Sequence, residues 1–285
     1  AAVRANPEQP ALYFWDAPAG TGKTFCGNAV LSAVRGMGKH AIAVASSGIA
    51  AVLLKGGRTF HSRFKAPLSM GPDSNCFGVS GTSALAKLIK RASLILWDEA
   101  PMMNKYYLQG LDAMLRDIMR NALPFGGKTI VITGDFRQTL PVVVHGSRAQ
   151  IYGASLKKSS MWVQFRTARL TENMRVRLLR QDAKAEEYAS RLLEIGNGGG
   201  SVGVDVDGNN ILEFPASLCV SSETALINWV FPKLSEGEID GTILCTRNNI
   251  VDSINQQVAN MFPGEEWVAS SADTLIDDDG DHNIP

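Results

Sequence analysis

Ala17-Pro18-Ala19-Gly20-Thr21-Gly22-Lys23-Thr24 places two glycines, a lysine and a hydroxyl in the order that grips a run of phosphates. Gly20 and Gly22 allow the backbone to bend, so that the stretch Ala19, Gly20, Thr21 and Gly22 can aim N–H groups at phosphate oxygens. A helix opening near Lys23 adds the positive end of its dipole. Lys23 would bridge the β- and γ-phosphates, and the Thr24 hydroxyl would hold Mg²⁺. The strict pattern begins with glycine where this chain has Ala17, which is tolerable if the local φ is negative.

Asp98-Glu99 closes the apolar run Leu94 to Trp97. Two adjacent carboxylates there can divide the work, Asp98 holding Mg²⁺ through water and Glu99 polarising an attacking water as general base. Without the upstream loop, the same pair would read as a solvated strand end. Gln138, in Gly134-Asp135-Phe136-Arg137-Gln138, carries an amide that can donate to a γ-phosphate and accept from the attacking water. Alone it would be a surface loop residue.

These groups need a scaffold that brings distant segments to one edge. The first half of the chain alternates short apolar runs with helical patterns. The runs are Leu12-Tyr13-Phe14-Trp15, Ala41-Ile42-Ala43-Val44-Ala45, Leu94-Ile95-Leu96-Trp97 and Ile130-Val131-Ile132. Each reads as a strand buried on both faces of a parallel sheet, giving a doubly wound α/β domain. Its ligand belongs at the carboxyl ends of the strands. A charged helix over 181–195 and the glycine cluster 196–200 follow. Beyond them Gly241-Thr242-Ile243-Leu244-Cys245-Thr246 reads as another buried strand. A helix then carries Ile250, Val251, Ile254, Val258 and Met261 on one face. The acidic tail, residues 277–281, reads as solvated.

Composition sets limits on function. The 285 residues are 45% hydrophobic and 20% charged, which excludes a coiled coil, a collagen-like repeat and wholesale disorder. Formal charge is zero, with 28 Lys+Arg against 28 Asp+Glu, so any polyanion-binding surface must be a local patch. The four cysteines form no C-x-x-C pair, arguing against a disulfide framework or thiolate zinc site. The most apolar stretch, Ala41 to Leu54, is too short for a bilayer span. The expectation is a soluble intracellular protein without membrane association, nuclear if eukaryotic, with the mitochondrion as the alternative.

Together the motifs resemble superfamily 1B DNA helicases of the Pif (petite integration frequency) type, and among them those of Helitron transposons. The resemblance rests on Ala17 to Thr24, Asp98-Glu99-Ala100-Pro101 and Gly134 to Pro141. It extends through Ser46-Ser47-Gly48-Ile49-Ala50-Ala51, Gly56 to Phe64, Pro124-Phe125-Gly126-Gly127, Leu170-Thr171-Glu172-Asn173-Met174-Arg175 and Pro263-Gly264-Glu265-Glu266, covering about residues 12–275. It implies ATP and Mg²⁺ as cofactors, 5′-to-3′ translocation on single-stranded DNA and unwinding of forked or structured duplex. The monomer is the favoured state. It further implies a RecA-like P-loop domain over 1–177, with a wedge-like excursion near 66–88, and an incomplete second RecA-like domain over 178–285.

The resemblance makes Arg175 a γ-phosphate contact and Arg247 a phosphate contact from the second domain. It assigns DNA contacts to the stretch 46–64, which contains Ser46, Ser47, Gly48, Arg58, Thr59, Phe60, His61, Ser62, Arg63 and Phe64. The residue types agree. Hydroxyls and arginines suit phosphate and sugar, and Phe60 and Phe64 could stack on bases, although phenylalanines are more often core residues.

Three departures accompany the likeness: Ala17 itself, Gln9 as the only glutamine before the loop, and later second-domain motifs without a counterpart. Slow ATP hydrolysis without unwinding is therefore expected of these residues alone. The competing readings are a P-loop ATPase acting on protein and a transposon-derived nucleic-acid-binding protein without helicase activity.

Overall fold

The computed structural model describes residues 11–72, 77–178, 183–206, 208–265 and 267–270. Gln9, Arg180, Gln181, Glu266 and the acidic tail lie outside them.

The chain divides into two compact units, Ala1–Ser201 and Val202–Pro285. The first therefore runs past the expected boundary at 177 and takes in the charged helix.

In the first unit, β1 (Leu12–Asp16) leads to α1 (Lys23–Gly36), β2 (His40–Ala45) to α2 (Gly48–Leu53), and β3 (Arg58–Thr59) to α3 (Phe60–Phe64). Then come α4 (Ala84–Arg91), β4 (Ala92–Asp98), α5 (Lys105–Met119), β5 (Thr129–Gly134), α6 (Arg148–Ala154), β6 (Arg166–Arg169), α7 (Met174–Leu178) and α8 (Ala183–Gly196). The six strands form one sheet in the order β3-β2-β4-β5-β1-β6, parallel at every pairing. The four strands read from the sequence are its centre.

The two-residue period of a strand explains the layers. Ile42, Val44, Ile95, Trp97, Ile130 and Ile132 pack on one face against Ile89 of α4 and Leu108, Leu111 and Leu115 of α5. Their neighbours Ala43, Ala45, Leu94, Leu96 and Val131 pack on the other against Leu31 and Val34 of α1 and Ala51 of α2. Both faces are covered, so the strands read as continuous apolar runs. Helix starts follow local chemistry: Ser83 accepts from the Ala86 amide at 3.1 Å, and Ser147 and Gln150 close a reciprocal capping box.

Within the 66–88 excursion, the described residues preceding α4 form no helix or strand. They are held to the core by buried Phe77 and by the Tyr107 hydroxyl of α5, which reaches the Pro67 and Leu68 carbonyls at 3.0 and 2.8 Å.

The second unit has a small apolar cluster of Ile227, Phe231, Leu234 and Ile254. The last belongs to the expected C-terminal helix. β7 (Ser201–Val204) and β8 (Asn210–Leu212) form a two-stranded sheet, α9 (Glu223–Val230) follows, and α10 (Asn248–Met261) completes the described helices. The buried strand expected at Gly241 to Thr246 does not form. Ile243 and Cys245 pack on the cluster, but Leu244 between them is 91% exposed. One-sided burial, with no neighbouring strand among the described residues to pair its backbone, leaves the segment irregular.

Candidate nucleotide and DNA site

The phosphate loop leaves β1 at Asp16 and is tied to β5 at once, the Ala17 amide donating to the Gly134 carbonyl at 3.2 Å. Ala17 is fully buried and is not among the residues with positive φ, so its methyl group is accommodated. Thr21 closes the turn through its hydroxyl, which donates to the Pro18 carbonyl at 2.8 Å. Gly20 and Gly22 take φ of 83° and 82°, the left-handed region that disfavours side chains. At Gly20 a Cβ would also strike Asn173. Gly22 caps α1 without a side chain, so no side chain claims the first amides of that helix. Those amides and the helix dipole suit an anion.

Across from the loop, β4 ends at Asp98. Its carboxylate is buried and accepts from the Thr133 hydroxyl of β5 at 2.5 Å and from the Glu99 amide at 2.9 Å. Glu99 then turns the chain in a left-handed conformation with φ 53°, a geometry costing about 1 kcal/mol or more. The Lys23 ammonium donates to Glu99 Oε1 in a very short contact and lies 3.7 Å from Asp98 Oδ1. Residues 75 and 76 positions apart thus meet in one cluster. One cation shared between two carboxylates, beside free amides, is the donor set that triphosphate and a divalent ion require.

Gln138 stands in the turn after β5, exposed, its amide nitrogen donating to Asp135 Oδ2 at 3.3 Å. It shares the sheet edge with the cluster but makes no hydrogen bond to it. Arg175, in the first turn of α7, is brought to the loop by its backbone, its amide donating to the Gly20 carbonyl at 3.1 Å. Arg247 precedes α10 in the second unit as its N-cap residue. Thr24 is half-buried in the first turn of α1.

The 46–64 segment begins beside the acidic pair. The Ser46 amide donates to the Asp98 carbonyl at 3.1 Å, and its hydroxyl accepts from Trp97 Nε1 at 3.0 Å. Ser47 caps α2 and Thr59 caps α3. Gly48, Arg58 and Ser62 are exposed.

Phe60 and Phe64 are not base-stacking platforms: both are 0% exposed. Phe60 stacks on Trp97 with centroids 4.2 Å apart and meets Phe64 edge-on at 5.0 Å. A helix as short as α3 is held by burying its apolar face, and both aromatics occupy that face.

His61 lies edge-on to Tyr107 at 5.2 Å, and burial lowers its pKa. Burial, and secondarily neighbouring Arg58, lowers the pKa of Arg63, whose Nε is buried with no hydrogen-bond partner. An arginine whose charge is disfavoured by burial and, secondarily, by Arg58 is one that an approaching anion would stabilise.

Sequence reading missed Trp97, Thr133 and Asp16 as supports of the site. Asp16 and Trp97 could have been flagged as strand residues immediately before a motif. The contact of Thr133 with Asp98 depends on β4 lying beside β5.

Residues 2–203 match the model of the PIF1-like helicase family. The chain is 26% identical over 254 residues to the ATP-dependent DNA helicase PIF1 of Danio rerio, spanning 88% of this chain but 35% of that protein. The Candida albicans PIF1 helicase is 26% identical over 274 residues, 92% of this chain and 27% of that protein. Among solved structures, Bacteroides Pif1 helicase in complex with ADP-AlF3 and ssDNA superposes with a TM-score of 0.63 at 22% identity. That match covers 92% of this chain and 55% of that one. The chain therefore corresponds to part of each relative. Because the family match runs through every strand of the six-stranded parallel sheet, this chain belongs to the PIF1-like helicase family.

Proposed function

We propose that this chain is the ATP-hydrolysing part of a DNA helicase that moves 5′-to-3′ on single-stranded DNA and opens forked or structured duplex. The convergence of Lys23 with Asp98 and Glu99 under the glycine loop carries the reading. The Lys23 ammonium partners Glu99. When phosphate oxygens take up that ammonium, the Glu99 carboxylate is released to accept a proton from water. Thr24 and Asp98 would hold Mg²⁺, which supplies charge neutralisation across the phosphates. Gln138 and Arg175 would contact the terminal phosphate from the β5 turn and from α7.

Coupling to DNA is supported by the continuity of Trp97 with Asp98. The same strand end that carries the metal-binding carboxylate holds Ser46 by a hydrogen bond and Phe60 by stacking. A shift at Asp98 is thereby passed to the segment bearing Arg58, Ser62 and Arg63, which would follow the DNA backbone.

Fluorescence titration of Mg-ATP into the chain and its Lys23→Ala variant tests the reading. Loss of at least about a hundredfold in affinity is expected from removing a charge-assisted phosphate contact. Unchanged affinity would show that the loop does not hold the triphosphate.

A further inference from the structure

Arg137, beside Gln138 in the β5 turn, is held more tightly than a surface arginine needs to be. Its Nη1 and Nη2 donate to Asp16 Oδ1 at 3.3 and 3.2 Å. Its Nε lies 3.1 Å from Asp135 Oδ1, an ion pair without hydrogen-bond geometry, while its own amide donates to that oxygen at 3.0 Å. The other oxygen of Asp135 receives the Gln138 side chain. One guanidinium therefore separates two carboxylates that would otherwise repel, and one of these carboxylates also holds Gln138. On the other flank, Phe136 packs against Phe14 and Trp162, each with centroids 5.3 Å away. The stem of Arg137 is clamped by the last residue of α8: a Cβ built on Gly196 would stand 3.1 Å from Arg137 Cβ.

Asp16 is a suitable anchor because it belongs to the sheet. It ends β1, in register with Gly134 of β5 and Arg169 of β6, and its carbonyl accepts from the Leu170 amide at 3.0 Å. The phosphate loop begins at the next residue. Arg169 approaches the same carboxylate at 3.7 Å but is largely exposed, so it adds little.

We propose that Asp16 is a positioning residue for nucleotide turnover, holding Arg137 and through it the turn that presents Gln138 to the terminal phosphate. The inference deepens the proposed function and rests on that reading. An anchor on a rigid strand supporting a loop-borne contact group is what precise geometry requires. It acts on recognition of the third phosphate. ADP, which lacks that phosphate, should not report its loss.

The test compares ADP with the non-hydrolysable β,γ-imido analogue of ATP, both with Mg²⁺, titrated into the full chain and its variants. In Asp16→Asn, the preference for the ATP analogue over ADP should fall by about tenfold to a hundredfold, with ADP affinity within about twofold. Arg137→Lys should lose a similar amount, because an ammonium cannot bridge both carboxylates as the guanidinium does. The double variant should be no worse than either single one, as expected for residues acting as a unit. Asp16→Glu, which keeps the charge, should recover part of the preference.

An unchanged preference in folded Asp16→Asn, or additive losses in the double variant, would overturn the inference. So would an equal fall in ADP and analogue affinity, the mark of a merely structural clamp. Should Asp16→Asn not fold, Arg137→Lys decides by the same criterion. A wild-type chain that binds neither nucleotide would instead sink the reading of the phosphate loop, and this inference with it.

Discussion

The nucleotide edge and the 46–64 segment are built by opposite rules, although they touch at Trp97 and Ser46. At the edge, polar groups converge: Lys23, Asp98 and Glu99 face one another, and their supports Thr133 and Asp16 are also polar. In the segment the aromatic residues turn inward, while Gly48, Arg58 and Ser62 face outward together with Lys55 and the aliphatic Ile49, Val52 and Leu53. The edge needs electrostatic preorganisation, which polar partners supply. In the proposed function the segment would need a stable platform for a backbone contact that reads no sequence, and buried aromatic area supplies that. Residue type alone therefore misjudges which side chains are exposed in the second region.

That contrast can be broken by mutation. The largest effect should come from the edge: Glu99→Gln should lower DNA-stimulated ATP turnover by about 10²- to 10⁴-fold while ATP binding persists, measured by phosphate release and nucleotide titration. Retained turnover would mean that Glu99 only neutralises Lys23.

Next, Phe60→Ala should destabilise the first unit by about 3–5 kcal/mol in urea unfolding, since it empties a filled aromatic site against Trp97. If stability held and only single-stranded DNA affinity fell, Phe60 would be a stacking residue after all.

The smallest effect should come from Arg63→Ala. It should leave stability nearly unchanged, weaken oligo-dT binding at low salt and reduce the salt-dependence slope by about 0.7. A slope equal to that of wild type would remove Arg63 from the DNA path.

How legible the molecule was follows the range of the interactions. The phosphate loop, the acidic pair and the four central strands lie in short contiguous strings, because a glycine turn or a buried strand is specified within a few residues. The orientation of Phe60 and Phe64 was only partly legible, since phenylalanines are more often core residues but one beside an arginine also suits a stacking platform. Packing decides it, Phe60 stacking on Trp97, 37 residues further along the sequence, and Phe64 meeting Phe60 within the same core. The segment Gly241 to Thr246 has the composition of a buried strand, yet a strand needs a neighbour, and composition does not provide one.

Taken alone, the order of amino acids specified which chemical groups are present and the strand-and-turn grammar that carries them to one edge, because those are local properties of backbone and periodicity. The fold decided which groups meet: the bond between Thr133 and Asp98, the clamp of Asp16 on Arg137, and the burial of the aromatics at the start and end of α3. Each depends on neighbouring strands or on helices packed over them, and such contacts exist only once distant segments have been brought together.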